Sequence, residues 1–194
     1  MKSNRFLLDH VNTPIGRLAL VADEAGRLRA TGWIDGHARM DRQLSAYLRE
    51  DGCSLMPASN PSGMSEALTR YFAGELTAID GLAVETGGTD FQRAVWAALR
   101  EIPCGQTRSY GELARRIGRP SAVRAVGLAN GSNPIGVVVP CHRVIGSDGS
   151  LTGYGGGLER KRWLLDHERS AGATRELNLR GVSRIERQTA AQPD

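Results

Sequence analysis

The chain of 194 residues is poor in cysteine and lysine and has no long hydrophobic run. Three scattered cysteines do not form a disulfide framework, and an odd count fits a reducing compartment. No stretch approaches the roughly 18 apolar residues of a membrane-crossing helix, so no membrane association is expected. The opening residues, MKSNRFLLDHVNTPIG, have neither the apolar core nor the small-residue cleavage site of a secretory signal, and a cytoplasmic protein is expected. What remains is ordinary for a globular protein. With 40% hydrophobic and 24% charged residues, the chain can bury a core in one domain or two small ones.

Charge is unevenly placed. Residues 1–87 hold nine basic and eleven acidic side chains, and residues 88–170 hold twelve basic and seven acidic. Of the 25 basic residues only Lys2 and Lys161 are lysine. Arginine reads phosphates and base edges through planar bidentate contacts, so a basic second half points to an anionic partner. A solvated basic face has the same composition, and charge alone does not separate the two.

The first half reads as α+β. Phe6 to Val11, Arg17 to Val21 and Leu28 to Ile34 are short apolar stretches separated by turn residues, which predicts three strands. A helix is expected over His37 to Glu50, a loop over Cys53 to Gly63, and a second helix from Met64 to Phe72, ending at Gly74. Nothing here carries evident chemistry, and its acidic residues read as solvated.

Gly87-Gly88 marks the expected boundary between an N-terminal domain, 1–87, and a second domain, 88–170. Thr89 is placed to cap a helix to about Glu101 whose Phe91, Val95 and Leu99 share a face. Ser109 is placed to cap Tyr110 to Ile117, and Ser121 a third helix to about Ala129. Two short helices joined at Gly118-Arg119-Pro120, with arginine on the second, match a helix-turn-helix; plain helical packing gives the same pattern. Gly146 to Gly157 reads as a flexible loop. A last helix is expected over Leu158 to Glu168, with Leu158, Leu164 and Leu165 inward and Arg160, Lys161 and Arg162 outward. Residues 171–194 form a tail without clear periodicity.

Ile135 to Val139 is an apolar run, read as a buried strand, entering Pro140-Cys141-His142-Arg143-Val144. A strand-end cysteine is often only a small buried hydrophobe. Next to a histidine it can instead be an activated thiol, because a cationic neighbour lowers its pKa. Glu168 on a later helix could orient His142, and cysteine, histidine and carboxylate together make the general pattern of an activated nucleophile.

The Pro140-Cys141-His142-Arg143-Val144 block resembles the active-site motif of the O6-alkylguanine-DNA alkyltransferases, the methylated-DNA–protein-cysteine methyltransferases. So do Arg124-Ala125-Val126-Gly127, Gly131-Ser132-Asn133-Pro134, Ser109-Tyr110-Gly111, Gly153-Tyr154-Gly155-Gly156-Gly157-Leu158 and Trp163-Leu164-Leu165-Asp166-His167-Glu168, in the family's order and spacing. The close match spans about residues 88–168. Tyr71-Phe72-Ala73-Gly74 and the N-terminal strands look like the stand-alone bacterial members. The resemblance implies an α/β protein of two domains: a small ribonuclease-H-like sheet with helices, then a mainly helical domain with a helix-turn-helix.

The implied activity is DNA repair by direct reversal. The Cys141 thiolate would take the alkyl group from O6-alkylguanine, and from O4-alkylthymine, in a single-turnover reaction on a flipped-out base. His142 and Glu168 would deprotonate Cys141, Tyr110 would donate a proton at guanine N3, and Asn133 would brace the active-site turn. Arg124 would fill the gap in the base stack, with Ser121, Ala125, Gly127 and Ser147 close to the DNA. The pocket would use the carbonyls of Cys141 and Val144, the N–H of Gly155, the Tyr154 wall and Gly156. Gly136 and Gly155 stand where some animal members carry proline and serine, implying a more open pocket. The partner would be double-stranded DNA, bound by a monomer able to cooperate along it. No cofactor is expected, and no zinc, since Cys53, His10 and His37 lack ligand spacing. Cys104 reads as structural. A turning-over cysteine hydrolase, a lesion-binding protein without transfer and a plain DNA-binding regulator are the alternatives. Each leaves part of these motifs without a purpose.

Overall fold

The computed structural model describes residues 5–34 and 54–171. The helix expected over His37 to Glu50, together with Cys53 and the tail beyond residue 171, lies outside the described residues. Strand β1 (Arg5–Thr13) turns into β2 (Gly16–Asp23) through two residues, and the Thr13 hydroxyl closes the turn by donating to the Gly16 carbonyl at 2.6 Å. Asp23 closes the next turn. Its carboxylate accepts the backbone N–H groups of Ala25 and Arg27, Gly26 takes φ 74, and β3 (Leu28–Trp33) follows. Asp23 is buried and paired with Arg27 and Arg29, so the expectation that the acidic residues of this half are solvated fails there.

The sheet order is β3-β2-β1-β4, with β4 (Ser54–Pro57) parallel to β1 and the other pairs antiparallel. The Cys53 to Gly63 stretch is therefore not only a loop: it supplies β4 and a 3-10 turn, Pro61–Gly63. The free edge of β1 recruits β4, and Pro57 is tolerated because it is the last residue of an edge strand. Helix α1 (Met64–Phe72) buries Met64, Ala67, Leu68, Tyr71 and Phe72 in the core shared with the sheet.

The second half is mainly helical. Thr89 and Gln92 form a reciprocal capping box at the start of α2 (Asp90–Arg100), and Ser109 and Glu112 do the same for α3 (Tyr110–Arg116). Helix α4 (Val123–Gly131) begins one residue later than a cap at Ser121 implies. Its N-cap is Ala122, whose N–H is spent on the Arg119 carbonyl at 2.9 Å, and Ser121 caps nothing. Helices α3 and α4, joined across Gly118 at φ 69, form the helix-turn-helix.

Residues 135–139 do not form a strand. Ile135 makes one bridge, to Thr31 of β3, and the chain then folds into tight turns. A short parallel pair, β5 (Arg108–Ser109) with β6 (Val144–Ile145), follows the 3-10 turn Cys141–Arg143. Helix α5 covers residues 158–171. Its Leu164 and Leu165 are buried as expected, but Leu158 is 45% exposed and Lys161 is fully buried, reversing both expectations. The architecture is thus a small sheet domain followed by a mainly helical domain with a helix-turn-helix. Among the described residues no helix is long and apolar enough to cross a membrane.

Candidate active site

The segment leading to Cys141 is held by consecutive tight turns. Val138 N–H bonds the Gly136 carbonyl at 2.9 Å around Val137, whose φ is 71. A β-branched residue rarely occupies this region, so the turn is strained. Cys141 N–H bonds the Val139 carbonyl at 2.8 Å around Pro140 (φ −82, ψ 64), and this second turn aims the Cys141 side chain. Asn133 braces both. Its Nδ2 donates to the Val139 carbonyl at 2.7 Å, and its Oδ1 accepts from Ile135 N–H at 3.0 Å. The N-terminal sheet clamps the same segment: Thr31 Oγ1 donates to the Gly136 carbonyl at 2.9 Å and Thr31 N–H to Pro134 at 2.9 Å.

Cys141, His142 and Glu168 are all buried; His142 and Glu168 meet directly, and Cys141 precedes His142 in the same 3-10 turn. His142 Nε2 lies 2.9 Å from Glu168 Oε1, and an ionised carboxylate only accepts, so Nε2 carries the proton. Nδ1 is then an unprotonated acceptor, buried and without a partner among the described residues. Burial outweighs the pull of Glu168 and keeps the imidazole pKa below its ordinary value, so His142 is neutral near pH 7. Burial would raise the Glu168 carboxyl, but its bonds to His142 and Arg143 prevail and hold it well below the usual carboxylate range.

Sequence reasoning missed several contributors. Arg143 is buried and grips Glu168 through Nε at 2.9 Å and Nη2 at 2.8 Å, while its Nη1 bonds the Ile102 carbonyl at 2.6 Å. Tyr71, from the half where no chemistry was expected, donates its hydroxyl to Glu168 Oε1 at 2.8 Å, and Gly105 N–H reaches Oε2 at 3.1 Å. Lys161 donates Nζ to the carbonyls of Val144 at 2.6 Å and Thr152 at 2.8 Å. Its phase on α5 was the available signal, because 161, 164, 165 and 168 share a helical face. Burial pulls its ammonium down to about 8, against the opposing influence of Cys141.

The Cys141 thiol is not acidified at rest, contrary to what its histidine neighbour suggested. Burial pushes it up, and Asn133 and Lys161 offset this only in part. The thiol therefore needs a base. Cys104 is pushed up to about 12, by burial first and by Glu168 next, which fits its reading as structural.

A pocket over Cys141 is lined by Asn130, Asn133, Gly136, Tyr154, Gly155 and Gly156 among others. The Tyr154 ring stands edge-on to His142, with centroids 6.5 Å apart. The pocket shares Gly131, Gly153, Tyr154 and Gly155 with a wider groove lined by Tyr110, Val123, Arg124, Gly127 and Leu128 of the helix-turn-helix. Arg124, Ala125 and Ser121 are exposed on that unit, and Ser147 is exposed in a separate turn. Thr152 Oγ1 donates to the Tyr110 hydroxyl at 3.1 Å, leaving the phenolic proton free. Val144 lines neither space, and its carbonyl is taken by Lys161. Among the described residues no cluster of His, Cys, Asp and Glu is placed to hold a metal ion.

Two family descriptions match the chain: 6-O-methylguanine DNA methyltransferase, ribonuclease-like domain, over residues 8–86, and 6-O-methylguanine DNA methyltransferase, DNA binding domain, over residues 90–170. The methylated-DNA–protein-cysteine methyltransferase of Salmonella typhimurium is 56% identical over 84% of this chain and 96% of its own length. The enzyme of the same name from Methanosarcina acetivorans is 46% identical over 81% and 95%. The crystal structure of Mycobacterium tuberculosis OGT in complex with DNA superposes with TM-score 0.71 and 44% identity, covering 86% of this chain and 94% of that one. Fold, site and likeness together define a DNA-binding transferase that repairs DNA by alkyl transfer. The chain belongs to the 6-O-methylguanine DNA methyltransferase family, and its activity is that of a methylated-DNA–protein-cysteine methyltransferase.

Proposed function

We propose that the protein transfers the alkyl group of O6-alkylguanine, and of O4-alkylthymine, irreversibly to Cys141 Sγ, one lesion per molecule. The observation that carries this reading is the buried Cys141 at the floor of a pocket, beside a neutral His142 whose Nε2 proton is pinned by Glu168 and whose Nδ1 is left to accept. A bridging water passes the thiol proton to Nδ1. Sγ attacks the alkyl carbon, the S–C bond forms as the C–O6 bond breaks, and guanine leaves with the electron pair. Tyr110 gives guanine a proton at N3, which makes it a better leaving group. The product is a thioether with no good leaving group at sulfur, so the molecule is consumed.

A base still in the stack cannot reach a buried thiol, so the lesion is flipped into the pocket. Arg124, exposed on α4 beside the groove, takes the vacated place, and Ser121, Ala125, Gly127 and Ser147 approach the strand. Asn133 keeps the turn that aims Cys141 in place, as its two bonds support. The Cys141 carbonyl, Tyr154, Gly155 and Gly156 hold the base. Residues 1–87 and 88–170 act as the two domains, binding as a monomer able to cooperate along DNA. A reaction that needs a free thiol suits the reducing cytoplasm. Incubation with a duplex holding one O6-methylguanine, followed by peptide mass spectrometry, tests the reading. One added methyl on the Cys141 peptide per lesion repaired is expected, and none in Cys141→Ala. Binding without a mass gain would show a lesion sensor instead.

A further inference from the structure

The carboxyl end of α4 carries a polar side chain that the proposed mechanism does not use. Asn130 is 3% exposed and lines the pocket over Cys141. Its Nδ2 faces the Cys141 carbonyl at 3.4 Å. That carbonyl can only accept, so the amide orientation is fixed and the other atom must be Oδ1. Oδ1 is buried and has no hydrogen-bond partner among the described residues. None of its neighbours bonds it: Asn133 Nδ2 donates to the Val139 carbonyl, and the Tyr154 hydroxyl in the same pocket is likewise buried without a partner among the described residues. A buried acceptor left alone is costly, and such sites usually await a ligand donor or hold water.

We infer that Asn130 is a specificity-determining residue that favours O6-alkyl groups bearing a hydrogen-bond donor, of the hydroxyalkyl class, over apolar groups of equal size. The inference rests on the proposed transfer to Cys141. A group being attacked by Sγ must lie against Cys141, and Asn130 is anchored to the backbone of that same residue. A terminal hydroxyl two carbons from O6 offers Oδ1 the donor it lacks, whereas a terminal methyl leaves it unpaired. The bond-making step is unchanged: S–C forms, C–O6 breaks, and the hydroxyl is carried intact onto the thioether. Gly136, in the same pocket as Asn130, leaves room there, since a Cβ built on it meets only Thr31 Oγ1 and the Tyr154 hydroxyl, both at 3.7 Å.

The test uses the full chain and two duplexes that differ only in the lesion, O6-(2-hydroxyethyl)guanine and O6-propylguanine. These groups have the same number of heavy atoms. Single-turnover rates are measured for the wild type, Asn130→Leu and Asn130→Ala, and the hydroxyethyl-to-propyl ratio is taken within each protein. Intrinsic reactivity and any general loss of packing cancel in that ratio. It is expected to fall roughly fivefold in both variants, the worth of one neutral hydrogen bond. A ratio unchanged within about twofold in whichever variant folds overturns the inference. An O6-methylguanine duplex separates the two readings. If the wild type puts no methyl on Cys141, the transfer reading itself fails; if it does and the ratio is unchanged, only the role of Asn130 fails.

Discussion

Replacing Tyr71 by phenylalanine removes one oxygen from the shell around Glu168 and nothing else of that size. Tyr71 is fully buried and its hydroxyl lies 2.8 Å from Oε1. A hydrogen bond to a charged group is worth about 1.5–3 kcal/mol. Glu168 keeps His142, Arg143 and the Gly105 N–H, so the lower end applies, near 1.5 kcal/mol. For a chain of this length that is a drop in Tm of about 3–6 °C. The stability drawn from Glu168 is present above its ordinary pKa of 4.5 and is lost as pH falls, because its folded pKa is depressed. The Tm gap between Tyr71→Phe and wild type should therefore be full at pH 7 and shrink below about 4.5. Rate gives the second readout. With one donor fewer, Glu168 concentrates its charge on the His142 Nε2–H and stabilises the imidazolium. The neutral imidazole proposed to accept the thiol proton is then lost at a higher pH, and the acid limb of the transfer rate is expected to move up. Calorimetry and single-turnover transfer across pH 5 to 8 read both effects. An unshifted acid limb with a Tm change below about 1 °C would refute the coupling; a Tm change alone would leave Tyr71 a packing residue.

Three further outcomes are expected. Thr31→Val, nearly isosteric, should cost about 1–3 kcal/mol because the Gly136 carbonyl loses its 2.9 Å donor, and transfer should slow as the Val137 turn slackens; denaturant melts and transfer rates check both. Gly156→Ala should narrow the pocket, since a Cβ there would stand 2.7 Å from Trp33 Nε1 and 2.9 Å from Tyr154 Cε1; a loss of 1–3 kcal/mol and at least a tenfold slower transfer are expected, and wild-type kinetics would contradict the contact. Cys104, pushed up to about 12, should be thiolate in only about one molecule in ten thousand at pH 8, so native-state iodoacetamide labelling followed by peptide mapping should leave its peptide unmodified.

Where a residue acts on its own neighbours in the chain, the sequence was readable. Thr89 with Gln92 and Ser109 with Glu112 form the capping boxes that three-residue spacing allows. Cys141, His142 and Glu168 were found because two are adjacent and the third sits on a recognisable helix. The misses needed distant partners. The run 135–139 looked like a strand by composition, but its N–H groups go to local turns and Asn133, and its Gly136 and Val139 carbonyls to Thr31 and Asn133, so no ladder forms. Ser121 looked like a cap, but a turn closed by the Ala122 N–H on the Arg119 carbonyl precedes the helix and leaves Ala122 as its uncapped first boundary residue. Lys161 was read outward because charges usually are, and Arg143 was given no role of its own, yet two carbonyls and a carboxylate compensate them inside. Tyr71 lies 97 residues from Glu168, and no local pattern links them.

Only Lys2 and Lys161 are lysine in the entire chain, and Lys161 is buried with its ammonium bound to two carbonyls. The positive charge that the second domain presents to DNA is therefore guanidinium throughout. Guanidinium does not titrate at any pH a folded protein survives, and acetyl donors do not neutralise it. The grip on phosphate should stay constant from mildly acidic to strongly alkaline solution and be indifferent to lysine acetylation. Its one remaining lever is ionic strength, through the counterions that DNA releases.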